Sequence, residues 1–226
     1  MVTANSTSWK SFKKRFESLD KLPDLIAIQE HKLLSDDDTT EANAYLLKAG
    51  FASVWGKATT GPKNCPIGGV AIAATLKLGC KPCKVEAPQS RAIAANIQIS
   101  EDTEFVFLSV YLHSGRGLKQ PNLELLGAVA AIQEQHQRHL LAAGDWQNQP
   151  GVISKTDWLK RGNLSIAAPS RPTCIMKKSS STIDYYVVSK PLATRLAHPT
   201  VVIQKQIATR RPVSNTVACR SSHVEQ

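Results

Sequence analysis

The sequence predicts an α/β domain in which two mixed β-sheets pack face to face, with helices on the outside. Apolar runs of strand length alternate with helical patterns along all 226 residues. Some neighbouring strands are joined by tight polar turns and others by helices, which favours mixed sheets over a doubly wound parallel sheet. A chain of this length can bury a sizeable core as one domain. We expect a single domain over 1–226, with an irregular end over 214–226.

The first third of the chain alternates between strand and helix spacing. The predicted elements are a strand at 2–6, a helix with Trp9, Phe12, Phe16 and Leu19 at helical spacing, a strand at 24–29, a helix at 41–49, and strands at 52–55 and 68–73. Pro23 ends the first helix because proline cannot continue it. Gly50 follows the second helix, where glycine is a common cap.

The remainder of the chain begins with a hairpin and continues with alternating elements. Its predicted elements are strands at 92–99 and 104–111, a long helix at 122–139, a strand at 139–143, a helical turn at 156–161, and strands at 182–189 and 200–203. The segment Cys80-Lys81-Pro82-Cys83 is predicted to be a loop after a strand. A lone pair of cysteines with this spacing is weak evidence for a zinc or redox site.

The chain is strongly basic, with 28 Lys+Arg against 18 Asp+Glu and a formal net charge of +10. This balance favours a polyanionic partner, because each phosphate contact releases counterions. The alternative is a basic soluble protein without such a partner. No segment reaches the roughly eighteen apolar residues of a membrane span. An odd number of cysteines, five, and no secretory signal at the start favour free thiols in a reducing compartment. We expect an intracellular protein that is not secreted, with the nucleus as one location, and we expect a monomer.

Three apolar runs each end in a lone carboxylate, at Glu30, Asp145 and Asp184. A strand that ends in an acid places a charge at the rim of a sheet. Three such acids in a small domain suggest a shared cleft and a hard cation held by oxygen ligands. Taken alone, Glu30 also fits an exposed loop and Asp145 also fits an Asx-type turn. Asp184 lies inside an apolar run, where an acid is costly unless it is paired or hydrogen-bonded.

Polar side chains accompany two of these predicted strand ends. Gln147 and Asn148 follow Asp145 closely, and an amide there can hold a phosphate oxygen. Tyr111 ends the strand at 104–111 and can hydrogen-bond a phosphate. Arg116, in the glycine-containing segment after it, can neutralise the phosphate charge. The alternative is a tyrosine of ordinary strand propensity followed by a flexible loop.

Six short motifs, taken in their order along the chain, resemble those of the endonuclease/exonuclease/phosphatase superfamily. These are the metal-dependent phosphodiesterases related to AP endonucleases and pancreatic deoxyribonuclease. The motifs are Asn5, Gln29-Glu30, Gly68-Gly69-Val70-Ala71-Ile72, Val110-Tyr111-Leu112, Gly144-Asp145-Trp146-Gln147 and Ile183-Asp184-Tyr185. The resemblance covers nearly the whole chain. His113 stands where the family has proline, and Gln147 where it has asparagine. The segments Gln29-Glu30-His31-Lys32-Leu33 and Arg171-Pro172-Thr173-Cys174 are similar to retroelement-type endonuclease domains of dinoflagellate genomes.

The resemblance implies a four-layer α/β sandwich with one cleft at the strand ends. It also implies that Glu30, helped by Asn5, holds Mg²⁺, with Mn²⁺ as an alternative. The implied activity is Mg²⁺-dependent hydrolysis of a phosphodiester by in-line attack of water. The implied substrate is nucleic acid, DNA in the first place.

The same resemblance implies a role for each remaining residue of the cleft. Asp145 orients the attacking water, while Tyr111 and either Gln147 or Asn148 hold the phosphate. Asp184 orients a histidine that polarises the phosphate.

The C-terminal motif departs from the family pattern, which ends in Ser-Asp-His before a strand beginning Pro-Val. One alignment uses Pro212-Val213 and puts Thr209 and Arg210 at the acid and histidine positions. Arg210 can bind phosphate, but as a permanent cation it cannot exchange a proton near neutral pH. The other alignment uses Ser221-Ser222-His223, which keeps a histidine without the acid. The alternative to a working nuclease is therefore a degenerate family member that binds nucleic acid without efficient cleavage.

Overall fold

A computed structural model describes residues 1–83, 85, 87–88, 90–136, 138–176, 179–201 and 213–214. The helices are α1 (Trp9–Glu17), α2 (Asp36–Lys48), α3 (Asn122–His136), α4 (Pro150–Ile153), α5 (Asp157–Arg161) and α6 (Lys190–Ala193). The strands are β1 (Val2–Asn5), β2 (Leu25–Gln29), β3 (Phe51–Gly56), β4 (Thr59–Thr60), β5 (Pro66–Ile67), β6 (Val70–Thr75), β7 (Gly79–Cys83), β8 (Ala92–Ser100), β9 (Thr103–Tyr111), β10 (Leu140–Asp145), β11 (Leu164–Ala167), β12 (Cys174–Met176), β13 (Ser179–Ser181), β14 (Asp184–Ser189), β15 (Thr200–Val201) and β16 (Val213–Ser214).

Two six-stranded sheets form the centre of the molecule, with strand orders β15-β16-β1-β2-β6-β3 and β11-β14-β10-β9-β8-β7. Each sheet is mixed. The pairs β1–β2 and β9–β10 are parallel, while β2–β6 and β10–β14 are antiparallel. The predicted α/β class with two mixed sheets is therefore confirmed. Two short ribbons, β4–β5 and β12–β13, lie outside these sheets.

The alternation of side chains along β2 shows how the layers arise, because successive residues of a strand point to opposite faces. Ile26 and Ile28 pack outward against Phe12 of α1. Leu25 and Ala27 face inward, in a core shared with strands of the second sheet. A third apolar cluster lies between the second sheet and α3, α4 and α5. The order is helices, sheet, sheet, helices, which confirms the predicted four-layer sandwich.

The segment at Gly79–Cys83 is an edge strand, so the prediction of a loop there is wrong. Pro82 is tolerated because an edge strand has a neighbour on one side only. Cys80 packs against the core between the sheets and Cys83 against the outer core, since residues three apart on a strand face opposite ways. Burial raises the pKa of both thiols, that of Cys80 to about 11. Both cysteines are structural in this arrangement.

Other boundaries shift for identifiable reasons. Helix α2 begins at Asp36 rather than at the predicted residue 41, because Ser35 and Asp38 form a capping box that starts it earlier. Strand β14 begins at Asp184, so this acid leads the strand instead of lying inside it. The strand predicted at 200–203 is described over Thr200–Val201 only. Among the described residues, no helix is long and apolar enough to cross a membrane.

Candidate active site

The core between the sheets turns from apolar to polar at one edge. Residues two apart along a strand share a face, and along this face five strands end or begin with a polar side chain. These residues are Asn5 on β1, Gln29 on β2, Tyr111 on β9, Asp145 on β10 and Asp184 on β14. Asn5 pairs with Gln29, and Asp145 pairs with Tyr111 on one side and Asp184 on the other. The topology therefore gathers four of the predicted site residues at one place.

Asp145 links the two sheets across this edge, and its side chain is fully buried. The Asn5 side-chain amide donates to Oδ2 of Asp145 from the opposite sheet. The Gln147 side-chain amide donates to the same oxygen at 2.7 Å, and the Gln147 backbone N–H donates to Oδ1 at 3.2 Å. Gln147 has a φ of 51°, which turns both of its groups back toward Asp145. Three donors thus fix the orientation of this carboxylate.

Gly144 is required by the close approach of β9 and β10. A Cβ at this position would collide with the carbonyl oxygen of Val110, which belongs to the sheet backbone and cannot move aside. We expect Gly144→Ala to destabilise the fold by about 2–3 kcal/mol, because overpacking against backbone forces the strands apart. Urea unfolding followed by circular dichroism measures this change.

The matched control for that substitution is Gly127→Ala. Gly127 is exposed on α3, and nothing lies within 4 Å of a Cβ placed there. Alanine favours helix over glycine, so this variant is expected to gain about 0.5–1 kcal/mol. Equal effects of the two substitutions would contradict the close approach at Gly144.

Gln29, the other polar residue of this face, ties the sheets together behind the site. Its side-chain amide donates to Oγ of Ser109 on the opposite sheet at 3.0 Å, and Thr3 donates to its Oε1 at 3.1 Å. Ser109 in turn donates to the carbonyl of Ile28 at 3.0 Å. All four residues are fully buried. This network sets the register in which Asn5 meets Asp145.

Glu30 lies one residue beyond β2, at the rim of the same edge. Its φ of 61° is in the left-handed region, and its side chain is 18% exposed with Lys32 Nζ at 3.6 Å. The neighbouring His31 is buried; its Nδ1 accepts from Leu33 N at 3.1 Å and its Nε2 lies 3.2 Å from the Gly56 carbonyl. Burial lowers the pKa of His31 to about 4, so the ring is neutral and structural. The turn that presents Glu30 is thus anchored on the following residue.

Asn5 at the end of β1 and Glu30 just beyond the paired end of β2 offer oxygen ligands of the kind that a magnesium ion prefers. Because Asn5 points its amide nitrogen at Asp145, its Oδ1 is turned the other way and accepts a bond of 3.3 Å from Thr7 N. One carboxylate and one amide oxygen suit an ion that keeps several waters and prefers oxygen ligands. Among the described residues, no three His, Cys, Asp or Glu side chains converge on one point.

Asp184 is almost fully buried, with 2% exposure, and its backbone is held by Thr173. The Thr173 hydroxyl accepts from the backbone N–H of Ile183 at 3.0 Å and of Asp184 at 3.1 Å. Thr173 precedes the ribbon β12–β13, and its own N–H donates to the carbonyl of Ser181. The start of β14, and with it the position of Asp184, depends on this buried hydroxyl.

Asn148 is engaged in the turn after β10. Its side chain donates to the Trp146 carbonyl at 3.0 Å, and its carbonyl accepts from the Tyr185 hydroxyl at 3.1 Å. Gln147 and Asn148 are the two amides predicted to hold the phosphate. In the structure, the Gln147 side chain donates to Asp145, and the Asn148 side chain stabilises the turn. Arg210 and His223, the two candidates for the terminal position, lie outside the described residues.

Arg91 is a site residue that the sequence analysis missed. It is 7% exposed, and its guanidinium carbon lies 4.5 Å from the centroid of the Tyr111 ring. It immediately precedes β8, which runs antiparallel to β9, so the start of one strand meets the end of the other. The Tyr111 N–H donates to the Arg91 carbonyl at 2.8 Å. The sequence contains one signal for Arg91: a basic residue directly before an apolar run that pairs with a strand ending in tyrosine.

Solved structures with the same fold cover nearly the whole chain. A 3′-5′ exonuclease (NExo) from Neisseria meningitidis has 20% identity and a TM-score of 0.70, covering 96% of this chain and 98% of its own. The AP endonuclease LMAP from Leishmania major has 14% identity and a TM-score of 0.71, covering 94% and 85%. The endonuclease domain of TRAS1, a telomere-specific non-LTR retrotransposon, has 13% identity and a TM-score of 0.66, covering 97% and 98%. No protein-family model and no curated protein matches the chain by sequence.

These likenesses establish the fold class: the chain has the fold of endonuclease/exonuclease/phosphatase proteins. The structural expectation drawn from the six motifs is thereby confirmed. At these identities the likeness concerns the fold, and the activity depends on the site residues themselves.

Proposed function

We propose that this domain is a Mg²⁺-dependent phosphodiester hydrolase of the endonuclease/exonuclease/phosphatase superfamily, and specifically a DNA endonuclease of retroelement type. One observation carries the proposal: Asn5 and Asp145 meet across the two sheets at the edge where Tyr111 and Asp184 also lie. Burying polar groups costs folding free energy, so their concentration at one edge supports a functional role. The chemistry it supports is attack of water on a phosphodiester.

The positions of the side chains support the following roles. Asp145, held by Asn5 and Gln147, accepts a hydrogen bond from the attacking water and aims it at phosphorus. Tyr111 and Arg91 lie together at the meeting ends of two neighbouring strands. Arg91 neutralises charge on the phosphate oxygens, and Tyr111 donates a hydrogen bond to one of them. A new bond from the water oxygen to phosphorus forms as the opposite phosphorus–oxygen bond breaks, in line. The water releases one proton to solvent, and the departing oxygen takes up a proton from solvent.

Glu30 and Oδ1 of Asn5 would hold the metal ion in this proposal. When bound, Mg²⁺ supplies positive charge to the phosphate and to the departing oxygen. The Glu30 carboxylate also lies 3.6 Å from the Lys32 ammonium group.

DNA is the proposed substrate because of charge and of what similar folds bind. The net charge of +10 favours a polyanion. The Neisseria protein with this fold was solved as a 3′ phosphatase bound to a product DNA hairpin. The retroelement assignment rests on the sequence similarity noted above, and the TRAS1 endonuclease domain has the same fold.

A second candidate function is nucleic-acid binding without efficient cleavage. Strand β16 begins at Val213 and pairs antiparallel with β1, which supports the alignment that uses Pro212-Val213. In that alignment Thr209 and Arg210 occupy the acid and histidine positions. Loss of a general acid–base partner costs about a hundred- to ten-thousand-fold in rate.

The test uses end-labelled duplex DNA, single-stranded DNA and RNA of one sequence, each with Mg²⁺ or with EDTA. We expect internal cleavage of the DNA duplex with Mg²⁺ and none with EDTA. Binding without cleavage would support the second candidate instead. Faster cleavage of RNA than of DNA would contradict the proposed substrate, and cleavage in EDTA would contradict the metal.

A further inference from the structure

Helix α1 is hydrogen-bonded to both strand ends that carry the proposed magnesium ligands. At the first residue of the helix, the Trp9 N–H donates at 2.8 Å to the carbonyl of His31, which directly follows Glu30. In the last turn, Nη1 of Arg15 donates to the carbonyl of Asn5 at 3.1 Å. One helix therefore holds the backbone at or next to both predicted ligands.

Arg15 lies where an apolar residue is expected. Phe12, Arg15 and Phe16 are the buried residues of α1, at the spacing of one helix face. Arg15 is 6% exposed, whereas the adjacent Lys14, like Arg116 in the predicted phosphate-binding segment, is exposed. Burying a guanidinium costs folding free energy unless it is hydrogen-bonded, and an apolar side chain of similar size would complete this face without that cost. The buried charge therefore points to a purpose other than packing.

The hydrogen bond from Arg15 fixes one peptide unit at the end of β1. The carbonyl of Asn5 and the N–H of Ser6 belong to this unit, which is planar. Arg15 donates to the carbonyl, while the N–H donates to the Gln29 carbonyl at 3.0 Å. The Gln29 carbonyl also accepts from the Ser6 hydroxyl at 3.0 Å, and it belongs to the peptide unit that leads into Glu30. A continuous row of hydrogen bonds thus joins the guanidinium to the backbone of both predicted ligands, and bonds in such a row reinforce one another.

The side chain of Asn5 depends on the orientation of this peptide unit. Its amide nitrogen donates to Asp145, and its Oδ1 accepts from the Thr7 N–H at 3.3 Å. Thr7 has a φ of 58°, so the chain turns sharply here on its way into α1. A rotation of the peptide unit would therefore move the oxygen that is proposed to bind the ion.

We propose that Arg15 is a positioning residue for the magnesium ion. Its guanidinium holds the peptide unit after Asn5 and thereby sets the spacing between the ligand oxygens of Asn5 and Glu30. Arg15 acts through this backbone and not as a ligand, because a permanent cation cannot coordinate a metal ion. The inference rests on the proposed function, since it assumes that these two residues hold the ion. The alternative is that Arg15 only joins α1 to β1.

The direction of the change in metal affinity separates positioning from simple electrostatics. Removing a positive charge close to a cation site by itself tightens binding of the cation, because like charges repel. Loss of positioning weakens binding, because the two ligand oxygens no longer stand at the required spacing. A role of Arg15 in packing alone predicts no weakening in a variant that remains folded.

The test is Mn²⁺ binding to the free protein, followed by the electron paramagnetic resonance signal of the unbound ion. Mn²⁺ prefers the same oxygen ligands as Mg²⁺, and the measurement needs neither DNA nor cleavage. We expect Arg15→Met, which fills the space without a donor, to weaken Mn²⁺ binding by about ten- to a hundredfold. Arg15→Gln, whose amide is too short to replace the guanidinium, is the second variant and is expected to behave in the same way.

Two variants of the same helix are the matched controls. Lys14→Met makes the same substitution at an exposed cation, and Phe16→Leu removes ring packing on the buried face. Both are expected to bind Mn²⁺ within about twofold of wild type, because a screened surface charge and a packing defect leave the ligands in place. Glu30→Ala identifies the site and is expected to weaken binding by at least about tenfold. Circular dichroism establishes that each protein is folded.

Mn²⁺ binding by folded Arg15→Met or Arg15→Gln that equals or exceeds that of wild type would overturn the inference. An equal loss of affinity in Phe16→Leu, unchanged binding in Glu30→Ala, absence of binding by wild type, or unfolding of both Arg15 variants would overturn it as well. Cleavage with Mg²⁺ is scored separately. Cleavage by wild type with unchanged binding in Arg15→Met would keep the hydrolase and reject the positioning role, whereas weakened binding without cleavage by wild type would do the reverse.

Discussion

Replacing Asp145 with alanine is expected to slow Mg²⁺-dependent cleavage by about a hundred- to ten-thousand-fold. The carboxylate is fully buried and is the common acceptor of Asn5 and Gln147. Its loss removes the group that aims the water and leaves the buried Asn5 amide and the half-buried Gln147 amide without their acceptor. Single-turnover rates with enzyme in excess over a labelled duplex measure the effect without interference from product release.

The control for Asp145→Ala is Asp102→Ala. Asp102 is exposed in the turn between β8 and β9, at the end of the sheet away from the site. This variant is expected to cleave at the wild-type rate. A second comparison, Asp145→Asn, keeps the shape but replaces one acceptor oxygen with a donor. An Asp145→Ala protein that is folded and cleaves within about tenfold of wild type would contradict the assigned role.

Replacing Glu30 with alanine is expected to raise the Mg²⁺ concentration for half-maximal cleavage by at least about tenfold. Glu30 is the carboxylate proposed to hold the ion, and the remaining ligand, Oδ1 of Asn5, is neutral. The measurement is a Mg²⁺ titration of the cleavage rate at fixed ionic strength. Because Glu30 sits beside Lys32 at the rim, its removal is expected to leave the fold intact.

Glu41→Ala is the matched control for this titration, because Glu41 is exposed on α2 in the outer layer. It is expected to show the wild-type Mg²⁺ dependence. A Mg²⁺ titration of Glu30→Ala that superimposes on that of wild type would show that the ion is held elsewhere.

Much of the site was predictable because it follows the two-residue period of buried strands. Apolar runs that end in Glu30, Asp145 and Asp184 could be identified from the residues alone, and the parallel pairs β1–β2 and β9–β10 bring two of those ends to one edge. Asn5 was predicted to help Glu30 to hold the metal ion, and that role stays a prediction. The hydrogen bond from Asn5 to Asp145 could be identified only from the structure.

The features that were missed depend on contacts between distant segments. Arg91 joins the site only because β8 runs antiparallel to β9, and Thr173 matters because a ribbon folds its hydroxyl onto the start of β14. The role of Gln147 depends on its left-handed backbone, which no local signal requires of a glutamine. Strand β7 was missed because Pro82 is a strand breaker except at an edge, and an edge is a property of the whole sheet.

The measurement that tests the central claim most directly is nicking of supercoiled plasmid by wild type, Asp145→Ala and Glu30→Ala proteins purified in parallel, with Mg²⁺ and with EDTA. The account predicts nicking by wild type that requires Mg²⁺ and is lost or greatly slowed in both variants. Equal nicking by all three proteins, or none by wild type with Mg²⁺, would contradict a hydrolase centred on Asp145 and Glu30.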